Sequence, residues 1–370
     1  MADLIIKPLT GAGNTVRIQD QAGGSILTSA NSGATITNAT LNDPVTNTIK
    51  LTPGSAPGSP VEGQMYYNST TKVTSVYNGS TWDQMSNLFS ATGGTESTHS
   101  FGGSTYKVHT FTSSGTFTVN AGGSVDVLVV AGGGAGSASV NYGGAGGAGG
   151  LIWQTGHTIT VNTYNVVIGA GASGYDSNRG NNGGNTTMFG LTAIGGGGGG
   201  FQGGTTTGKD GGSGGGGGYA STGNYGTGTQ PSQSGDSGTY GFGNNGGFGN
   251  SGSTNPAGPN SSGGGGGAGG AGTAGDFTDP PRGGVGKDMS SYVGTSVGDS
   301  GWFASGGGGS NQTGYSAGTA SAGGGGDGAN YNNSLATHGD ANTGGGGGCG
   351  TNTQGGRNGG SGVVIVRYVV

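Results

Sequence analysis

The chain has 370 residues, of which 100 are glycine and only 29% hydrophobic, and 11 basic against 16 acidic side chains leave a net charge of −5. So lean an apolar content cannot fill one large core, so backbone hydrogen bonding must supply much of the order. The scattered cations exclude a nucleic-acid surface, the single cysteine, Cys349, excludes an intrachain disulfide scaffold, and no apolar stretch approaches the about 18 residues of a membrane-spanning helix, so no membrane insertion is expected.

Residues 1–50 alternate short apolar and polar steps, as in Thr15–Ile18, Ser25–Thr28 and Ala34–Leu41, with Gly, Asn and Asp between them. This is strand-and-turn sequence too thin to bury a core alone. It is expected to attach and oligomerise the chain by pairing with other copies, or to lie as an arm on a partner. Residues 51–60 (LTPGSAPGSP) read as a linker. Residues 61–86 read as a small β-meander: MYYN, KVTSVYN and STWDQM separated by turns near Ser69–Thr71 and Asn78–Gly79. Its large side chains, Tyr66, Tyr67, Tyr77 and Trp82, are expected to pack with one another or with another subunit. Residues 87–103 read as a polar link.

Residues 104–370 form the expected head. Of the glycines, 84 lie in residues 132–370, in runs such as Gly195–Gly200, Gly211–Gly218, Gly263–Gly267, Gly306–Gly309, Gly323–Gly326 and Gly344–Gly348. Composition alone allows a flexible coil. Collagen is excluded, because the runs are continuous rather than every third residue and Pro totals 10. The third reading is a bundle of polyglycine helices of the polyproline-II type, whose outward N–H and C=O groups bond to neighbouring rods. The strand signals VDVLVVA (Val125–Ala131) and VVIVRYV (Val363–Val369) bracket the region and favour the ordered bundle. Further strands are expected at Tyr106–Thr112, Gly115–Val119, Leu151–Trp153, Thr158–Val161, Tyr164–Ile168 and Thr186–Ile194, with Val363–Val369 pairing beside Val125–Val130. Helix should be nearly absent. The expected fold is all-β: small N-terminal β modules, then a β-sandwich frame carrying the polyglycine bundle.

Chemistry is weakly signalled. Gly203–Asp210 has the spacing of a phosphate loop, but Asp210 stands where Ser or Thr must meet magnesium. His99, His109, His157 and His338 lack a spaced carboxylate or thiol partner, so no metal and no catalytic triad is expected. Asp276 and Asp279 could be read as paired glycosidase carboxylates, but a turn is the simpler reading. No enzyme activity and no cofactor are expected. The inserts between glycine runs carry the aromatic residues that could stack on sugars or fill a partner's pocket, or else cap the open ends of the bundle. Tyr292 and Trp302 lead this set, followed by Phe303, Tyr225, Tyr240, Tyr315 and Tyr331. Within the bundle, Gly265→Val is expected to damage folding far more than a substitution at Ser310.

The stretch YKVHTFTSSGTFTVNAGGSVDVLVVAGGGAG (Tyr106–Gly136), with GGAGG at Gly146–Gly150, VVIGAG at Val166–Gly171 and the closing GGSGVVIVRY, resembles the glycine-rich domain of phage tail-fibre and adhesin proteins. The meander resembles a short module that recurs in such fibres. The resemblance implies a virion protein, a trimer bound through its N-terminal region to other tail or capsid proteins. Its distal loops would meet a host-surface glycan or outer-membrane protein. The alternative is a purely structural virion appendage or matrix fibre without a receptor.

Overall fold

The computed structural model describes residues 51 and 53–370, except 71–72, 86–88, 140–141, 175–177, 220–222, 232–242, 252–258, 277–278, 331–334 and 352–354. The N-terminal β segment, residues 1–50, therefore lies outside the described residues. The chain divides into two compact units, Met1–Gln84 and Met85–Val370.

In the first unit, β1 (Pro53–Gly54), β2 (Met65–Asn68), β3 (Thr74–Tyr77) and β4 (Trp82–Gln84) form one sheet in sequence order. The last three are the expected meander. β1 falls in the segment expected to be a linker: Pro53 and Gly54 run parallel to Tyr67 and Asn68, at a sheet edge where proline needs no ladder donor. The β3–β4 turn is set by Asn78, whose side-chain oxygen accepts from the amides of Ser80 (2.9 Å) and Thr81 (2.7 Å), an Asx turn. Trp82 packs against Tyr66 and Tyr77 at ring separations of 4.5 and 5.3 Å.

The second unit begins with β5 (Ser90–Thr92), β6 (Thr95–Phe101), β7 (Ser104–Phe111), β8 (Gly115–Ala121) and β9 (Gly123–Val130). After the first glycine run come β10 (Ala138–Ser139), β11 (Leu151–Ile159), β12 (Asn162–Val166), β13 (Thr186–Met188) and β14 (Leu191–Ala193). The rest are β15 (Lys287–Asp288), the one-turn helix α1 (Ser290–Val293), β16 (Trp302–Phe303), β17 (Gly350–Thr351) and β18 (Val363–Val369). Residues 87–103, read as a link, thus contain two strands of the head. β6 (TESTHSF) is polar because it is an edge strand with most side chains in solvent.

Two sheets make the frame, one of five strands in the order β11-β9-β18-β7-β6 and one in the order β12-β8-β5. β18 pairs antiparallel with β9, as expected, and also with β7. The apolar runs of β9 and β18 are continuous because both faces of the larger sheet are buried. Val127, Val129, Val364 and Val366 face the smaller sheet, meeting Phe117, Val119 and Val166. Leu128, Val130, Val363 and Ile365 point the other way, toward Ala148, Leu151, Trp153, Ala268, Met289 and Phe303. Each fully buried Leu or Ile contributes about 1.5–3 kcal/mol, so this sheet anchors the unit. Among the described residues no helix is long and apolar enough to cross a membrane.

The glycine runs leave the frame as segments joined by backbone hydrogen bonds, here called rods. In Gly144–Gly150 the amide of Gly144 donates to Gly200, Ala145 to Gly263, and Gly146 to Gly347; Gly147 then returns to Gly197, Ala148 to Gly266, and Gly149 to Gly344. The partner recurs at every third residue. The carbonyls of the same run accept from three further segments: Gly134 and Ser137, Ser213 and Gly216, and Gly307. One rod thus has six neighbours. Rods this close leave no room for side chains at most positions: a Cβ on Gly265 would collide with the carbonyl of Gly146, and one on Gly134 with that of Gly197. A methyl fits at Ala135, Ala145, Ala148 and Ala268, all fully buried.

Where a rod lacks a neighbour, a side chain takes its place. Asn185 accepts from the Gly195 amide (2.9 Å), Asn182 from Gly198 (3.1 Å), Asn245 from Gly228 (3.0 Å), Asn224 from Gly249 (2.9 Å) and Gln230 from Ile194 (2.8 Å). Ser310, the position set against Gly265, is fully buried, and its amide donates to the Ser262 hydroxyl at 2.8 Å. The rod beginning at Ala304 extends through Ser310, whose carbonyl accepts from the Ser262 amide at 3.0 Å.

Replacing Gly265 with Val should cost at least about 3 kcal/mol, since backbone on both sides must move. Gly115→Val, where a Cβ would meet nothing within 4 Å, should cost far less. Chemical denaturation of the two variants measures the contrast.

Candidate recognition site

The aromatic residues singled out in the inserts occupy three different environments. Tyr292 sits on α1, and its ring lies 5.1 Å from that of Trp153 and 5.2 Å from that of Phe101. These rings surround the guanidinium of Arg367, which is 4.2 Å from the ring centre of Tyr106, 5.2 Å from Tyr292, 5.3 Å from Trp153 and 5.4 Å from Phe101. Arg367 is only 3% exposed. Its Nε and Nη2 donate to Oδ2 of Asp126 at 2.9 and 2.8 Å, and its Nη1 donates to the Tyr292 carbonyl at 2.6 Å. The other oxygen of Asp126 accepts from Gly156 at 3.0 Å, at the bulge of β11 between Gln154 and His157. Two guanidinium N–H groups thus share one carboxylate oxygen inside aromatic walls, which add cation–π attraction to a buried ion pair. Tyr292 is therefore a wall of this box.

Phe303 is fully buried among Met289, Val293 and Trp153, and is corrected from a surface contact to a core residue. It alternates with Trp302 along β16, so one side chain enters the core while the other remains half-buried. Tyr225 is likewise half-buried, beside Asn224, whose amide nitrogen donates to the carbonyl of Gly218 at 2.5 Å. Tyr240 and Tyr331 lie outside the described residues.

Tyr315 lines an open cavity. The cavity, of about 460 Å³, is bounded also by Asp276, Asp279, Arg282, Asn311 and Thr319. Asp276 and Asp279 form a turn, as read from sequence: the Asp279 amide donates to Oδ1 of Asp276 at 2.6 Å, and the Asp276 amide to the Asp279 carbonyl at 2.9 Å. Opposite them, the Tyr315 amide donates to the Gln312 carbonyl, and the Asn311 side chain donates to the Ser316 carbonyl at 3.1 Å. Sequence reasoning found Tyr315 and the two aspartates separately. Nothing in their spacing could bring them together, because the rods between them set the distance.

The remaining candidates for chemistry have structural work. Oδ1 of Asp210 accepts from both the amide and the hydroxyl of Thr227 at 2.7 Å, which holds its carboxyl below the usual range. His99 Nε2 donates to the Ser291 carbonyl, and His338 Nδ1 accepts from the Asn358 amide, both at 3.0 Å. Among the described residues no group of three His, Cys, Asp or Glu is placed to hold a metal. His109 is fully buried. Its Nδ1–H donates to the Gly93 carbonyl at 2.8 Å, so in the neutral ring Nε2 accepts from the Tyr368 hydroxyl at 3.1 Å.

A family model described as a glycine-rich domain matches residues 109–369. No curated protein matches the sequence.

Two consequences can be measured. Tyr292→Ala opens the box around Arg367 and should lower the stability of the head by about 2 kcal/mol, less than a fully buried aromatic truncation, and thermal melting checks it. Burial pushes the pKa of His109 below its ordinary 6.5, and burial shifts His157 the same way. The unfolded chain therefore takes up protons first as the pH falls, so stability is fully present above about pH 6.5 and declines below it until the folded-state pKa is reached. Urea midpoints between about pH 8 and pH 5 should show that decline, and His109→Gln should flatten it.

Proposed function

The chain belongs to the glycine-rich domain family, and on that premise we propose that it is a fibre or adhesin of a tailed-phage virion whose head recognises a host-surface glycan or outer-membrane protein. The observation that carries this reading is the division of labour in the head. The rods present almost only backbone, closed on itself by hydrogen bonds, whereas the discriminating side chains lie in the inserts between rods. Recognition then rests on loops held by a rigid scaffold. In this reading the rods are polyglycine helices of the polyproline-II type, and binding involves no chemistry on the ligand.

The N-terminal region attaches to other tail or capsid proteins and assembles the chain as a trimer. What supports assembly is the thinness of the meander: Tyr66, Tyr67, Val76, Tyr77 and Trp82 are each only half-buried. A small sheet with no fully buried aromatic residue gains stability by packing against further surface.

The full-length chain should sediment as a trimer and bind envelope preparations of its host saturably. A monomer would overturn the assembly reading. A trimer that binds none of a broad set of bacterial envelopes would favour the purely structural appendage.

A further inference from the structure

We propose that the cavity beside Tyr315 is a binding site for a neutral saccharide. The inference rests on the recognition reading above and names the ligand class and the place.

Its floor is rigid. Asn311, 1% exposed, lies at the end of the rod that begins at Ala304 and bridges to both Ser261 and Asn330, and Pro281 accepts from the Gly309 amide at 2.8 Å. One wall carries Asp276 and Asp279, tied by the hydrogen bond from the Asp279 amide to Asp276 Oδ1, and the other is the turn from Asn311 to Ser316, pinned by the Asn311 side chain. Such a site is in place before a ligand arrives, which spares the cost of ordering loops on binding.

The lining selects the ligand. Apart from Pro280, Ala317 and the ring of Tyr315, the surface is polar, so an apolar ligand would gain little. Two carboxylates against one guanidinium give the cavity a net negative charge, which disfavours phosphate, sulfate or an acidic sugar. Arg282 is exposed and its guanidinium has no ion pair among the described residues. A neutral sugar matches this set. Its hydroxyls can donate to the aspartates and accept from Arg282, while the C–H face of the ring lies on Tyr315. A volume of about 460 Å³ lies at the small end of the about 300–1,000 Å³ of ligand pockets and suits one or two sugar units.

The test is saturation-transfer NMR of the full-length chain with neutral mono- to trisaccharides built from glucose, galactose, mannose and N-acetylglucosamine, beside acidic and free-amine sugars. Envelope binding is measured in parallel. Binding of a neutral sugar that weakens at least tenfold in both Tyr315→Ala and Arg282→Gln, with unchanged melting, supports the proposal. If Tyr315→Ala melts early, Arg282→Gln decides alone. Neutral-sugar binding indifferent to Arg282→Gln overturns the location, and a preference for acidic or amine sugars overturns the class. Envelope binding without any sugar binding overturns this site but leaves the recognition reading standing; absence of both overturns the two together.

Discussion

The head depends on one constraint: two backbones approaching closely enough for the amide of one glycine to bond the carbonyl of the next rod, with no Cβ between them. The run Gly144–Gly150 shows what this achieves. Its amides turn through three neighbours and its carbonyls meet three more. A strand in a sheet satisfies its backbone in two directions and leaves two faces for side chains. A rod of this kind satisfies its backbone in six directions and needs no side chains at all. That explains how a chain with 29% hydrophobic residues orders a region this large. The cost falls on conformational entropy, because glycine loses more freedom on folding than any other residue. The balance must come from the density of hydrogen bonds and from the apolar frame at one end of the rods.

The frame and the rods support each other through the larger sheet. Its residues alternate strictly, so that Val127 and Val129 serve the sandwich core while Leu128 and Val130 serve the second core beneath the rods. Ala148 and Ala268, each within a glycine rod, reach that second core with their methyl groups. The Arg367 box belongs to the same arrangement. It joins β18, β9, β11, β7, β6 and α1 around one charge, and thereby fixes the insert that carries Trp302 against the sheet.

Much of the frame was legible in the sequence. Val125–Ala131 and Val363–Val369 announce buried strands by continuous β-branched runs, and the meander announces itself by its Asn-Gly turn and spaced aromatics. The polar strands β5 and β6 were not legible, because an exposed edge such as Thr95–Phe101 shares its composition with a linker. Which rod lies beside which was not legible either, since glycine carries no pattern that records a neighbour. The role of Tyr292 was hidden for a related reason: its partner Arg367 lies 75 residues away and looks like an ordinary strand-end cation. Nor does composition tell that Asn182, Asn185, Asn224 and Asn245 stand in for missing carbonyls at the margin of the bundle.

The position of β18 has a consequence for the order of events during synthesis. It lies between β7 and β9, so those two strands, although close in sequence, have no direct pairing with each other and leave a slot that only residues 363–369 fill. Every glycine rod is translated before that slot can close. Contacts such as Val364 with Phe111 span most of the head, and loops of that length close slowly. The larger sheet therefore cannot be completed before residues 363–369 are made, and the head acquires its final packing only after translation of β18.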